Sequence, residues 1–388
     1  MLLITGCSEQ SGEQGGKGPI KIGISLPLTG DFSEPGKGVQ QGYQAWAKIV
    51  NDKGGLLGRP VELKILDDQS NADRVVADYE QLIGKDQVDL VVGPFSTRLV
   101  VPAARVAEEY DMLFVEPAGA AKEVFAQGFQ NLFYAAPAVA NDHYNYLAEA
   151  ILAMPAGQRP RTVAVASMDD PFAQGTAYGL RDKLKAGGLS IVADEVYPPN
   201  TTDFGQIAAK IAASKADVLI GGSQYQDGVN LIVALRQLRY QPKLAAFSTA
   251  PTEPEFAKAI GDKTEGVLSP TGYSQDAPYP SNSEFVEKYK AQFGQDPEED
   301  QANAYTTGQV VEAAVKAAGC AEQGECQKKL VDFVRKNKIE TVVGPLTWDA
   351  TGKPQGAHMI QQWRGGEIKI VLPENLKEAD LLYPKPAW

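Results

Sequence analysis

"DLVVGPFSTRLVVPAARVAEE", Asp89 to Glu109, is the stretch that decides the fold. Leu90 to Val92 form a short apolar run, and Gly93-Pro94-Phe95-Ser96-Thr97 then breaks it. After Arg98 the apolar residues Val101, Ala104, Val106 and Ala107 recur at helical spacing, with Glu108 and Glu109 between turns. The pattern predicts a buried strand, a tight turn and a helix. Two hydroxyls, Ser96 and Thr97, fall where that helix begins. Such residues either cap the helix or hold a ligand at its N-terminus.

The same alternation extends on both sides. "KIGISLPL", "RPVELKILDDQ" and "MLFVEPAG" read as strands, separated by the helical patterns "GVQQGYQAWAKIVNDKGG" and "NADRVVADYEQLIG". Gly54 and Gly55 close the first of these helices, and Asn71 suits the N-cap of the second. After "NLFYAAPA" the alternation restarts near Pro137. It runs through "RTVAVASM", "LSIVADEVYP", "ADVLIGGS", "KLAAFST" and "EGVLSPTGY" as strands with helices between them. Two consecutive βα units predict an α/β protein with two doubly wound parallel sheets, each covered on both faces. Beyond Tyr273 three helical patterns follow in a row. "TVVGPLTWD" reads as one strand, and "AHMIQQWRGGEIKIVLP" as a hairpin about Arg364-Gly365-Gly366.

A chain of 388 residues suggests two or three domains at about 150 residues each. Its net charge of −12 disfavours nucleic acid and anionic membrane surfaces, which need a basic footprint. No stretch approaches the roughly 18 apolar residues of a membrane helix. The opening "MLLITGC" is apolar, ends in Cys7 and is followed by the polar, Gly-rich "SEQSGEQGGKG". It resembles a truncated bacterial lipobox with Cys7 as the lipidated residue and a flexible tether behind it; the alternative is a frayed tail with an incidental cysteine. Cys320 and Cys326 in "GCAEQGEC" suit a disulfide in an exported protein or are two separate thiols.

Enzyme signatures are missing. The chain has two histidines, His143 and His358, each expected to be a surface or packing residue. No Gly-x-Ser-x-Gly, His-Glu-x-x-His or Walker A motif occurs, and no cofactor or metal is expected. The acid pairs Asp67-Asp68 and Asp169-Asp170 end strands and read best as turn acids or caps. What recurs is small and hydroxyl residues after strands: Pro94 to Thr97, Pro117 to Ala120, Gly221 to Tyr225, and Phe247 to Thr249. In open parallel sheets ligands bind outside the carboxyl ends of the strands, so four such turns in two units point to a binding cleft.

These motifs carry a resemblance. "IGISLPLTGDFSEPGKGVQQGYQAWAKIVNDKGGLLGRPVELKILDDQS", "VVGPFSTRLVVPAA", "EPAGAAKEVF", "YSQDAPYPSNSEFVEKYKAQFGQDP" and "VVGPLTWDATGKPQG" resemble, in order, the branched-chain amino acid type of periplasmic binding protein, the solute receptor of an ABC importer. The resemblance covers roughly Ile20 to Ile370. It implies a type I flytrap of two lobes joined by three crossovers, near Tyr134–Pro137, Val267–Thr271 and Thr347–Ala350. Residues 1–19 would be the signal remnant and tether. Residues 20–136 with 270–347 would form one lobe, and 137–269 with 348–388 the other.

The resemblance also implies a ligand site. Phe95, Ser96 and Thr97 match the turn that grips a ligand carboxylate. Ala118, Gly119 and Ala120 match the next turn, where Ala replaces the family's Thr. Phe172 and one position within Ser223, Gln224 and Tyr225 match the covering aromatics. The acid that pairs a ligand ammonium falls near Ser248–Thr249, where this chain has none, with Glu253 only later; Tyr273 and Tyr305 are further aromatics nearby. The expected ligand is therefore a small carboxylate or amide, aromatic ones included, as readily as a branched-chain amino acid. Arg98 would either grip it or face solvent. The implied protein is an extracytoplasmic, lipid-anchored, monomeric receptor that partners a small ligand and an ABC permease. A sensor on the same fold and an α/β enzyme are the alternatives.

Overall fold

The computed structural model describes residues 18–252 and 255–388. Cys7 and Glu253 lie outside the described residues. The first unit runs β1 (Ile20–Leu26), α1 (Ser33–Asp52), β2 (Val61–Asp67), α2 (Ala72–Glu80), β3 (Leu90–Val92), α3 (Thr97–Glu109), β4 (Phe114–Glu116), α4 (Lys122–Phe125) and β5 (Leu132–Tyr134). Its sheet is parallel throughout, in the order β2-β1-β3-β4-β5. Strand alternation divides the core. Leu90 and Val92 join Ile20, Ile22 and Ile24 on one face, and Val91 joins Phe114 on the other. β5, within the unassigned "NLFYAAPA", extends this sheet to a fifth strand by pairing with β4.

The second unit runs α5 (Asn145–Ala153), β6 (Thr162–Met168), α6 (Pro171–Ala186), β7 (Ser190–Tyr197), α7 (Gly205–Ser214), β8 (Val218–Gly222), α8 (Tyr225–Gln237), β9 (Leu244–Phe247), α9 (Glu255–Ile260) and β10 (Val267–Thr271). β10 keeps the chain in this sheet to Thr271, two residues past the expected boundary at 269/270. Then come α10 (Asn282–Phe293), α11 (Glu299–Ala318), α12 (Glu325–Lys336), β11 (Ile339–Thr341) and β12 (Gly344–Leu346), followed by β13 (Met359–Arg364) and β14 (Glu367–Leu372). The second sheet has seven strands in the order β14-β13-β10-β9-β8-β6-β7; β13 and β14 are its antiparallel members. Gly365 and Gly366, both at positive φ, form the two-residue turn between them, which the right-handed twist of the strands favours.

"TVVGPLTWD" is not one strand. It contributes to a small hairpin, β11 with β12, because Gly344 at φ +103° turns the chain and the Thr341 hydroxyl donates to the Gly344 carbonyl at 2.6 Å. The Asn71 cap forms as expected, its Oδ1 accepting from the Arg74 N–H at 3.0 Å. Cys320 and Cys326 are joined in a disulfide. No helix among the described residues is long and apolar enough to cross a membrane.

The helices after β10 return to the first sheet: Phe285, Tyr289, Ala304, Val311 and Leu330 share a core with β1 and α1. α11 packs so closely on α1 that a β-carbon on Gly308 would come within 2.2 Å of the Trp46 ring, and one on Gly42 within 2.3 Å of the Gln301 carbonyl. The Trp46 indole N–H donates to Glu312 at 3.1 Å across the same contact. Gly308→Ala should therefore overpack this seam. The expected loss is about 1–3 kcal/mol, read from urea unfolding as a lower midpoint at unchanged slope.

Candidate functional site

The carboxyl end of β3 is pinned by two buried tyrosines. Buried Tyr79 and Tyr43 donate their hydroxyls to the carbonyls of Val92 (2.6 Å) and Gly93 (2.9 Å). Above them Ser96 adopts φ 78°, ψ 141°, a conformation that costs a non-glycine residue of order 1–3 kcal/mol and that clusters at functional sites. Its carbonyl accepts from the N–H groups of Leu99 and Val100, each at 3.0 Å, and so starts α3. Its hydroxyl is buried and has no partner. The Thr97 hydroxyl turns sideways to accept the Ala121 N–H at 3.4 Å. Neither hydroxyl caps α3, so the capping expectation fails for both. Ser96 begins the helix through its backbone and leaves its side chain free.

The second turn is built around an acid. Glu116 ends β4 fully buried. Its Oε2 accepts the N–H groups of Ala118 at 2.7 Å and Gly119 at 2.5 Å, while its Oε1 has no partner. Burial pushes its carboxyl up to about 8 against the pull of those two N–H groups. The glycines of both turns make room for it. A β-carbon on Gly93 would come within 2.3 Å of Glu116 Cβ, and one on Gly119 within 2.7 Å of Glu116 Oε1. Ala120 is buried, and its carbonyl accepts from the Ala140 N–H at 2.8 Å.

The other lobe meets these turns through the start of α6. Asp170 caps α6, its Oδ1 accepting from the N–H groups of Phe172 and Ala173 at 3.0 and 3.2 Å. Its Oδ2 lies 3.5 Å from Arg98, the residue after Thr97. Arg98 therefore spans the two lobes, with its guanidinium 5.8 Å from the Phe32 ring centre. Phe172 packs against the core of the first lobe, and Phe95 stacks edge-on to Phe32 at 6.0 Å. The structure thus brings together Phe95, Ser96, Thr97, Ala118, Gly119 and Phe172.

The remaining expected residues are spread more widely. The Ser223 hydroxyl is buried beside Gly228, where a β-carbon would come within 2.6 Å of it, and has no partner. The Ser223 N–H donates to Ser248 at 2.7 Å. Gln224 is exposed, and Tyr225 packs against the second lobe's own core. The Thr249 carbonyl accepts from the Thr252 N–H at 2.8 Å. Tyr273 lies in the first lobe's core, 6.1 Å from the Phe285 ring. Its hydroxyl is buried without a partner.

Where the chain passes between lobes, the two histidines meet. The rings of His143 and His358 lie 3.8 Å apart, both buried. His143 Nε2 is 3.2 Å from the Ala138 carbonyl and His358 Nε2 is 3.3 Å from Glu299. Burial, and then His358, hold His143 well below the usual imidazole range. Burial would raise the Glu299 carboxyl, but His358, the Gly272 N–H and the Thr271 hydroxyl hold it below its usual value. Among the described residues, the acid and thiol grouping at metal-ligand spacing is Cys320, Glu322 and Cys326, and its two sulfurs are already joined.

Asp170 is the helix cap expected of a strand-ending acid, whereas Glu116 drew no expectation from the sequence. The signal for Glu116 was an acid closing an otherwise apolar strand, FVE.

Comparison with known proteins agrees with this architecture. A family profile described as "Periplasmic binding protein" matches residues 19–369. The chain is 26% identical over 350 residues to the Leu/Ile/Val-binding protein BraC3 of Rhizobium johnstonii, covering 90% of this chain and 93% of that one. A putative branched-chain amino acid ABC transporter from Silicibacter pomeroyi shares the fold with a TM-score of 0.83 at 20% identity, over 94% of this chain and 99% of that one. An ABC transporter solute binding protein from R. palustris, crystallised with benzoate, superposes with a TM-score of 0.77 at 19% identity, covering 96% and 98%.

The raised Glu116 carboxyl has a thermodynamic consequence. Because the folded state favours the neutral acid, the associated stability is fully present below about pH 4.5 and is lost as pH rises to about 8. Glu116→Gln mimics the neutral acid at every pH. The variant should gain on the wild type by a few kcal/mol between pH 4.5 and 8, read from paired unfolding curves. Parallel pH profiles would contradict the assignment.

Proposed function

Because the chain belongs to the periplasmic binding protein family, we propose that it is the solute receptor of an ABC importer, capturing a small amino acid, aromatic acid or amide between its lobes and delivering it to a membrane permease. One observation carries the reading: the buried, unpartnered Ser96 hydroxyl at the N-terminus of α3, two residues before the Arg98 that pairs with Asp170 of the other lobe. The unpaired N–H groups of a helix N-terminus favour a carboxylate, and a free hydroxyl beside them supplies one more donor. The relatives' ligands support two classes, branched-chain amino acids from the name of the Rhizobium protein and benzoate from the R. palustris complex.

The mechanism is a shift of population toward the closed arrangement, which the ligand favours by touching both lobes. No bond is made or broken. With the boundary moved to the end of β10, the lobes are 20–136 with 272–347, and 137–271 with 348–388. The receptor acts outside the cytoplasm as a monomer, held to the membrane by a lipid on Cys7. Phe172 and Phe95 cover the ligand's apolar part, and Thr97 supports the turn that holds its carboxylate.

A thermal-shift panel of leucine, isoleucine, valine, benzoate and benzamide tests the class. A ligand at a hundred times its Kd should stabilise the protein by about 2.7 kcal/mol, and Ser96→Ala should weaken that ligand about tenfold or more. Turnover of any of these compounds by the purified protein would overturn the receptor reading. Asp170→Asn keeps an acceptor for the α6 cap but removes the ionic link to Arg98. Since Arg98 is half exposed, the expected change is a two- to fivefold faster ligand release (about 0.5–1 kcal/mol). The difference from wild type should fade at high salt, as stopped-flow dissociation would reveal.

A further inference from the structure

We propose that the His143–His358 pair is an acid-operated release built into the passages between the lobes: a second proton on the pair parts the two rings and opens the cleft. The inference rests on the receptor reading and adds a regulation to it.

Each passage between the lobes supplies part of one cluster. His143 follows the first passage, and its Nε2 lies 3.2 Å from the Ala138 carbonyl. Thr271 ends β10 where the second passage begins, and Glu299 starts α11 beyond it. The Thr271 hydroxyl donates to Glu299 at 3.2 Å. His358 closes the third passage, one residue before β13, with Nε2 3.3 Å from Glu299. The first and third passages lie side by side. The Trp348 indole N–H donates to the Tyr134 carbonyl at 2.7 Å, and the Gly356 N–H to the Pro137 carbonyl at 2.9 Å. The place for His358 is built, since a β-carbon on Gly272 would come within 2.6 Å of its Nε2. The cluster also reaches the candidate site, because the Phe172 ring stands edge-on to His143 at 5.9 Å.

The pair has room for one charge. Its rings are 3.8 Å apart and only 5% and 1% exposed. A cation on His358 is answered by Glu299, while its Nδ1 has no partner. His143 bonds the Ala138 carbonyl, which carries no charge, and burial together with His358 disfavours its charged form. The charged groups around the cluster are committed elsewhere. Asp142, beside His143, pairs with Lys353 at 2.9 Å and with Lys183 of α6 at 3.4 Å. Asp170, at the start of α6, faces Arg98. Glu298 is held in the capping box of α11, Asp300 has a partner, and Glu149 of α5 is exposed. Glu116 of β4 holds the N–H groups of Ala118 and Gly119.

The packed arrangement therefore binds fewer protons than one in which the rings separate or meet water. By linkage it is favoured above about pH 6.5 and loses ground as pH falls below that value. Arg98 and Asp170 meet across the lobes in this arrangement, so the one that loses ground is the closed one.

The chain has two histidines, so ring-labelled protein gives two NMR signals. These are followed from about pH 8 to about pH 4.5 beside small-angle scattering and circular dichroism. One ring should titrate well below about pH 6.5, and the radius of gyration should rise with it at constant circular dichroism. His143→Gln keeps a donor for Ala138 and takes no proton, so the expansion should vanish. In His358→Gln the remaining ring should titrate at a higher pH than in the wild type. An expansion that does not track a ring signal, or that survives in His143→Gln, overturns the proposal. So does a wild type that stays compact until its circular dichroism is lost, or an unmoved His143 titration in His358→Gln. If His143→Gln fails to fold, the wild-type coincidence of ring titration and expansion decides alone. No ligand enters the measurement, so these failures leave the receptor reading standing.

Discussion

The contact between α1 and α11 is the constraint from which the rest of the architecture follows. Gly42 and Gly308 let the two helices approach to backbone distance, and the indole of Trp46 fills the seam and bonds Glu312. Helices that follow β10 in sequence are thereby returned to the sheet that β1 began. A chain that must return to its first sheet after building a second, and then add β13 and β14 to that second sheet, passes between lobes three times. Three adjacent passages can bend together, which is what a closing receptor needs. They also explain why residues as distant in sequence as His143, Glu299 and His358 meet in one cluster.

Parallel topology then fixes where chemistry can occur. All five strands of the first sheet run the same way, so their carboxyl ends and the following helix N-termini gather on one edge. The hydroxyls of Tyr79 and Tyr43 take up the strand-end carbonyls, which leaves the next residues to the turn. At that edge the protein holds two costly features, a serine at positive φ and a buried carboxyl with one unpaired oxygen. Two large apolar clusters, one on each face of the sheet, support both.

Much of this was legible in the sequence. The alternation of apolar runs and amphipathic helices, the restart near Pro137 and the three late helices give the fold class and nearly all elements, because burial on a strand or helix face leaves a period in the residues themselves. Asn71 as a cap and Gly365-Gly366 as a turn were readable for the same local reason. The site was legible only in part. Ser96 and Thr97 stood out as hydroxyls after a strand, yet neither caps α3. Tyr273 lies in the first lobe's core, and Tyr225, half-buried, packs against the second's.

By itself, then, the sequence determined the layers, the two sheets and the edge on which a ligand would bind, since periodicity and turn chemistry are local properties of the chain. Only the tertiary structure decided which polar groups at that edge find partners. The carboxyl of Glu116 claims the N–H groups of Ala118 and Gly119. Arg98 finds Asp170 on the opposite lobe, and two separate histidines become a buried pair. Each outcome depends on which groups are left without water or a partner once distant segments pack. No period along the chain encodes that.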